Sequence, residues 1–165
     1  MKVIALIVAS LTCSAVLADA ALAQSYRTYV NARFGARADV PANWRADRPP
    51  ENGDGQRFIS PDGKASITVS GIFHVEDTIK EAIDSRARPD GVAVTYVKRD
   101  SRGVVASGLK GDQIIYTRSI LTCRDTIWNT VWIEYPSAEK QKYDALVSRV
   151  AGSLRGGRSG DGDCK

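Results

Sequence analysis

One histidine, one methionine and three cysteines are all that the 165 residues hold of the side chains that most often carry metal or nucleophilic chemistry. A structural or catalytic zinc site draws several ligands from cysteine and histidine. A chain with His74 alone and two cysteines beyond its leader does not supply that set, and no metal or cofactor is expected. Phosphate-cradling glycine loops are missing too. Gly53-Asp54-Gly55 lacks the third glycine and is not followed by a helix. Glu51-Asn52-Gly53-Asp54-Gly55 lacks the alternating oxygen ligands and closing glutamate of a calcium loop. Ser107 sits in Ala106-Ser107-Gly108 without the flanking glycines of a nucleophile elbow, and His74 is the one imidazole that could serve any serine or cysteine as base. The chain has no long run of one charge. Its net charge of +4 affects solubility and weak anion attraction and does not point to nucleic acid.

The N-terminus carries the strongest positive signal. Lys2 precedes an apolar stretch from Val3 to Leu17, and Ala21-Leu22-Ala23 places small residues where a signal peptidase reads them. Residues 1–23 are therefore expected to be a cleaved signal peptide, with Gln24 the first mature residue. The apolar run is about 15 residues, short of the roughly 20 that cross a bilayer, so no stable membrane span is expected after processing. Cys13 lies inside the discarded run. Cys123 and Cys164 remain, and an oxidising compartment favours a bridge between them over two free thiols. Such a bridge closes a loop of about 40 residues, worth ~4 kcal/mol in the chain-entropy model.

The rest of the chain has ordinary globular composition, 43% hydrophobic and 25% charged. Period-2 alternation from Phe34 to Val40 predicts a first strand after an irregular lead-in over 25–31. Pro49, Pro50, Asn52, Gly53 and Gly55 predict a loop over 43–55. Gln56–Ser60 and Ala65–His74 read as a hairpin about the turn Ser60-Pro61-Asp62-Gly63. Asp77 or Thr78 caps a helix running to about Arg88, with Ile79, Ala82, Ile83 and Arg86 on one stripe. Strands follow at Val92–Tyr96, Val104–Ser107, Gln113–Thr122 and Thr126–Tyr135. A last helix after Ser137 places Tyr143, Leu146, Val147, Val150 and Leu154 on one face. Three strands, a helix, four strands and a helix indicate one α+β domain over 24–155: a mainly antiparallel sheet packed against two helices. Residues 156–165 form a glycine-rich tail, expected to be largely disordered apart from any tether at Cys164.

Tyr29-Val30-Asn31-Ala32-Arg33-Phe34-Gly35, Pro50-Glu51-Asn52-Gly53-Asp54-Gly55, Ile133-Glu134-Tyr135-Pro136 and the amphipathic helix containing Tyr143-Asp144 together resemble a group of small exported bacterial proteins without assigned activity. Their element order is similar to the Mog1/PsbP-like fold. The resemblance spans nearly the whole mature chain. It implies fold and compartment and brings no catalytic residues, because the fold hosts binding and accessory proteins with unrelated partners.

Candidate sites are few. His74 has Glu76 and Asp77 as local partners, and a surface histidine at a strand end is the plainer reading. Trp128 and Trp132 share one strand face with Thr130 between them. They suit either a ladder for a sugar or peptide or, more often, packing beneath a helix, and Trp44 is similar. Asn52 and Asp54 lie in a loop of the kind that carries recognition residues. Trp128, Trp132, Asn52 and Asp54 are thus the candidate ligand surface. Arg86, Arg88, Lys98, Arg99 and Arg102 are scattered enough to read as solvated surface. The expected function is an exported cell-envelope binding or accessory protein with an unknown protein or small-molecule partner. The alternatives are a hydrolase using Glu76, Asp77 or Glu134 and a β-edge interaction module. Intact-mass analysis of the exported protein is expected to find Gln24 at the N-terminus and a mass lighter by two hydrogens before reduction than after. A chain that keeps its first 23 residues at its destination contradicts the export reading.

Overall fold

The computed structural model describes residues 24–157. The expected leader over 1–23, most of the expected tail and Cys164 lie outside the described residues. Nine strands form: β1 (Tyr26–Val30), β2 (Arg37–Pro41), β3 (Arg45–Ala46), β4 (Gly55–Ile59), β5 (Ser66–Phe73), β6 (Ala93–Arg99), β7 (Gly103–Lys110), β8 (Gln113–Thr122) and β9 (Ile127–Pro136). Helix α1 spans Ile79–Arg86 and helix α2 spans Lys140–Ser153. Seven strands make one antiparallel sheet in the order β3-β4-β5-β9-β8-β7-β6, and β1 and β2 pair as a separate ribbon. The expected α+β class, with a mainly antiparallel sheet and two helices, is the one observed.

The two longest strands, β8 and β9, lie together at the centre, and their alternation sorts side chains between two faces. On the front, Val131, Ile133 and Tyr135 join Ile67 and Val69 of β5. Helix α2 covers them with Tyr143, Val147, Val150, Ala151 and Leu154, and the ribbon adds Ala36, Ala38 and Val40. Trp44 is buried in this core. On the back, Trp128, Leu121 and Val104 pack under Ala82, Ile83 and Ala87 at α1. Gly71 of β5 is required by close approach: a Cβ there would run into the Phe34 side chain.

Several expectations change in detail. The lead-in is a strand, because Tyr26 and Tyr29 pack on the front core and give β1 a reason to pair. The strand expected from Phe34 is β2 of the ribbon and begins at Arg37, since Gly35 takes a positive φ of 67°. The loop over 43–55 contains the two-residue β3, paired with β4. Helix α1 has Thr78 as N-cap in a full capping box with Glu81, and it ends at Arg86, with Ala87 as C-cap, instead of Arg88. Pro89 disfavours helical backbone at Arg88. A 3-10 turn over Ser137–Glu139 precedes α2. Leu146 is at the margin of the α2 stripe, only partly buried, whereas Leu154 is fully enclosed.

Residues 153–157 are built into the front. Arg37 and Arg155 exchange two backbone hydrogen bonds of 2.9 Å, and the Ser153 hydroxyl accepts from the Asp39 N–H at 2.8 Å. Gly156 then passes so close to Thr122 that a Cβ could not be added. Between β8 and β9, Cys123, Arg124 and Asp125 all have positive φ (53°, 55° and 69°). Each non-glycine residue in the left-handed region costs ~1–2 kcal/mol. The turn is held by Thr126, whose N–H reaches the Thr122 and Cys123 carbonyls and whose hydroxyl donates to the Cys123 carbonyl at 2.7 Å. Leu154→Ala is expected to cost about 2–5 kcal/mol, while Leu146→Ala costs less than half as much. Denaturant melts of the two variants check the order, and equal losses would contradict the docking described.

Candidate functional site

Strand alternation aims Trp128, Thr130 and Trp132 of β9 at the back of the sheet. Their neighbours there are Leu121, Ser119 and Thr117 of β8 and Ile72, Ser70 and Thr68 of β5. The apolar end of this array attracts α1. The hydroxyl-rich remainder draws no helix over it, because Ser and Thr give a helix little apolar area to bury. Thr68, Ser70, Thr130 and Trp132 stay partly exposed, while Thr117 and Ser119 are buried at its base. The result is a groove of about 310 Å³ floored by Thr117, Ser119, Thr130 and Trp132, with Arg86 and Arg88 on its wall. The floor is internally bonded: the Thr117 hydroxyl donates to the Ala106 carbonyl at 3.2 Å, and the Ser119 and Thr130 hydroxyls lie 2.8 Å apart.

At one end of the groove, Glu76 organises a network of hydrogen bonds. Arg86 donates to Glu76 Oε1 at 2.7 Å, while His74 Nδ1 and the Val75 N–H reach Oε2 at 2.9 and 3.2 Å. The Arg86 guanidinium lies 4.2 Å from the Trp128 ring centroid, a cation–π geometry. Trp128 Nε1 is 3.3 Å from His74 Nδ1. An indole N–H only donates and a carboxylate only accepts, so one ring nitrogen cannot serve both. The shorter contact assigns Nδ1 as the donor to Glu76. Burial raises the Glu76 pKa, but the bonds from Arg86 and from the backbone N–H groups of Glu76 and Val75, with the Arg86 charge, more than offset it and hold the group at about 2. A carboxylate that acidic is a poor general base and is not protonated to act as an acid near neutrality.

The remaining sequence candidates scatter. Trp128 has no exposed surface, so Trp132 alone of the pair is available to a ligand. Asn52 and Asp54 are not part of the groove. Arg33 donates to the Asn52 carbonyl at 2.7 Å and to Asp54 at 2.8 Å, and Asn31 donates to the Gly53 carbonyl at 2.8 Å, which clips their loop to the ribbon side. Asp77 is exposed just before α1, and Glu134 sits on β9 opposite Ser66 and Ile115. Of the five basic residues, Arg86 turns inward, Arg99 pairs with Asp84 and Arg102 with Asp125. The floor residues Thr117, Ser119 and Thr130 were not singled out from sequence, although polar residues at every second position of β8 and β9 mark them. Among the described residues no group of three or more His, Cys, Asp or Glu could hold a metal ion. No helix among them is long and apolar enough to cross a membrane.

No family model matches the chain, and no curated protein matches it. Among solved structures it is similar to the solution structure of cyanobacterial PsbP (CyanoP) from Synechocystis sp. PCC 6803, with a TM-score of 0.57 and 13% identity. That likeness covers 88% of this chain and 98% of the other. The fold is PsbP-like, and at this identity the likeness speaks for the fold alone.

The pH dependence of the Glu76 network has a definite sign. Its carboxyl is held at about 2 against an ordinary 4.5, so its bonds stabilise the fold above about 4.5. That stabilisation is withdrawn as pH falls toward 2. Glu76→Gln is expected to lose about 1–3 kcal/mol at pH 7 and to flatten the acid limb of the stability curve between these values. Urea melts from pH 2 to 7 check this, and parallel curves for the two proteins would refute it.

Proposed function

We propose that the mature chain is an exported accessory protein of the cell envelope that docks a partner protein through the back-face groove and does not turn over a substrate. The observation that carries this is the commitment of Glu76 to Arg86 and His74 beside a floor on which Thr130 and Trp132 stay partly exposed. Such a floor offers contact area and hydrogen bonding but no proton carrier. Trp132 and Arg88 are residue types that dominate binding energy at protein interfaces, and here they stand among small hydroxyl side chains. Arg88 makes no ion pair among the described residues, so its charge is open to a partner.

Export rests on the leader over 1–23, and the envelope is where an oxidised Cys123–Cys164 pair persists. Support for that pair comes from the position of Gly157. Cys123 Sγ lies 3.5 Å from the Gly157 carbonyl, and Cys164 follows Gly157 by seven residues. That length spans at most ~25 Å when extended and closes back easily.

Crosslinking in intact exporting cells tests the reading. Trp132→Ala and Arg88→Ala are expected to cut recovery of the crosslinked partner at least tenfold, with export and melting temperature unchanged. Undiminished recovery with both variants, or turnover that Glu76→Gln abolishes without loss of folding, would overturn it.

A further inference from the structure

The seven-stranded sheet has two edges. One is β3, two residues long; the other is β6, seven residues long and largely exposed. The Asp100 N–H donates to the Gly103 carbonyl at 3.0 Å, which sets the phase of the β6–β7 ladder. Hydrogen-bonded pairs recur at every second residue, so Lys98 opposite Val105 and Tyr96 opposite Ser107 turn their backbone groups toward β7. The N–H and C=O groups of Val97 and Arg99 therefore point away from the sheet, and no hydrogen bond among the described residues takes them up.

Side chains divide in the complementary way. Val97 packs on the back cluster and Arg99 pairs with Asp84, whereas Tyr96 and Lys98 project to the front. There the front of β6 and β7 lies beyond the reach of α2. A trough of about 480 Å³ runs between them, walled by Tyr96, Leu109, Ile114, Tyr116, Tyr135 and Val147. Tyr96 and Leu109 are 51% and 43% exposed, unusual for large apolar side chains on neighbouring strands. Lys98 has no ion pair among the described residues.

We propose that β6 accepts an extended acidic segment of a partner protein as an eighth strand, with a carboxylate opposite Lys98 and an apolar side chain opposite Tyr96 at the lip of the trough. Main-chain bonds to Val97 and Arg99 supply the attachment, and the alternating side chains supply selectivity. The charge at the edge decides between occupants. A second copy of this chain would bring Lys98 and Arg99 against their own kind, the arrangement by which edges resist self-association. An acidic strand turns the same charges into attraction. This surface is separate from the back-face groove, so the groove can be wrong while the edge assignment holds.

The test uses a fluorescein-labelled octapeptide of repeated Thr-Glu-Thr-Val, with Thr-Lys-Thr-Val as its charge-reversed control. Anisotropy is expected to show binding of the acidic peptide at least tenfold tighter than the control. Lys98→Glu reverses that preference, and Trp132→Ala leaves it unchanged. Arg99→Pro removes one outward N–H that β7 does not use and is expected to abolish binding. If that variant fails to fold, hydrogen exchange decides instead: the Val97 and Arg99 amides of the wild-type protein slow at least tenfold with the acidic peptide. No binding at 1 mM peptide, equal binding of both peptides, or protection elsewhere overturns the proposal. A wild-type dimer that Arg99→Pro dissociates overturns it in favour of a second copy.

Discussion

Everything in this domain hangs on the pairing of β8 with β9. These ten-residue strands run antiparallel along their full length, and each is committed on both faces. Odd-numbered positions of β9 supply the front core, and even-numbered positions supply the back. A slip of one residue would carry Trp128 to the front and Val131 to the back and would empty both cores at once. The register is closed by a turn whose three central residues are strained, which the structure tolerates because long strand pairing on either side leaves no other path.

The two faces meet different fates from the same alternation. The front is apolar along most of its length and gathers a long helix and a ribbon. The back is apolar only near Trp128, so an eight-residue helix suffices there and the hydroxyl stripe beside it has no helix over it. The short helix is fastened at both ends, by its capping box at Thr78 and by Arg86 reaching Glu76 and Trp128. The charged side chain on the α1 stripe is therefore part of the packing, with its stem over an indole and its head group paired.

Much of this was legible from the sequence. The hairpin pattern located β4 and β5, strand-forming composition located β8 and β9, and helical spacing located α2. Arg86, on the α1 stripe yet also read as solvated surface, turns inward to Glu76 instead. Element order gave α+β. What the sequence concealed depends on contacts between distant segments. Tyr26 and Tyr29 carry no sign that they will fold onto a core completed more than a hundred residues later. Asn52 and Asp54 looked like free loop groups until Arg33 and Asn31 were seen to occupy the same loop. Trp128 and Trp132 are indistinguishable by pattern, and only the length of α1 decides which of them is buried. The groove floor was hidden for a related reason: serine and threonine at strand positions do not reveal whether a helix will cover them.

The bridge between Arg37 and Arg155 has a consequence for how the molecule is made. The ribbon near the start of the domain is completed by Arg155, and α2 closes the front core only after every strand has been synthesised. A nascent chain thus cannot lock the front of its interior until α2 and Arg155 have been made: the sheet waits for its cover and the ribbon for its partner.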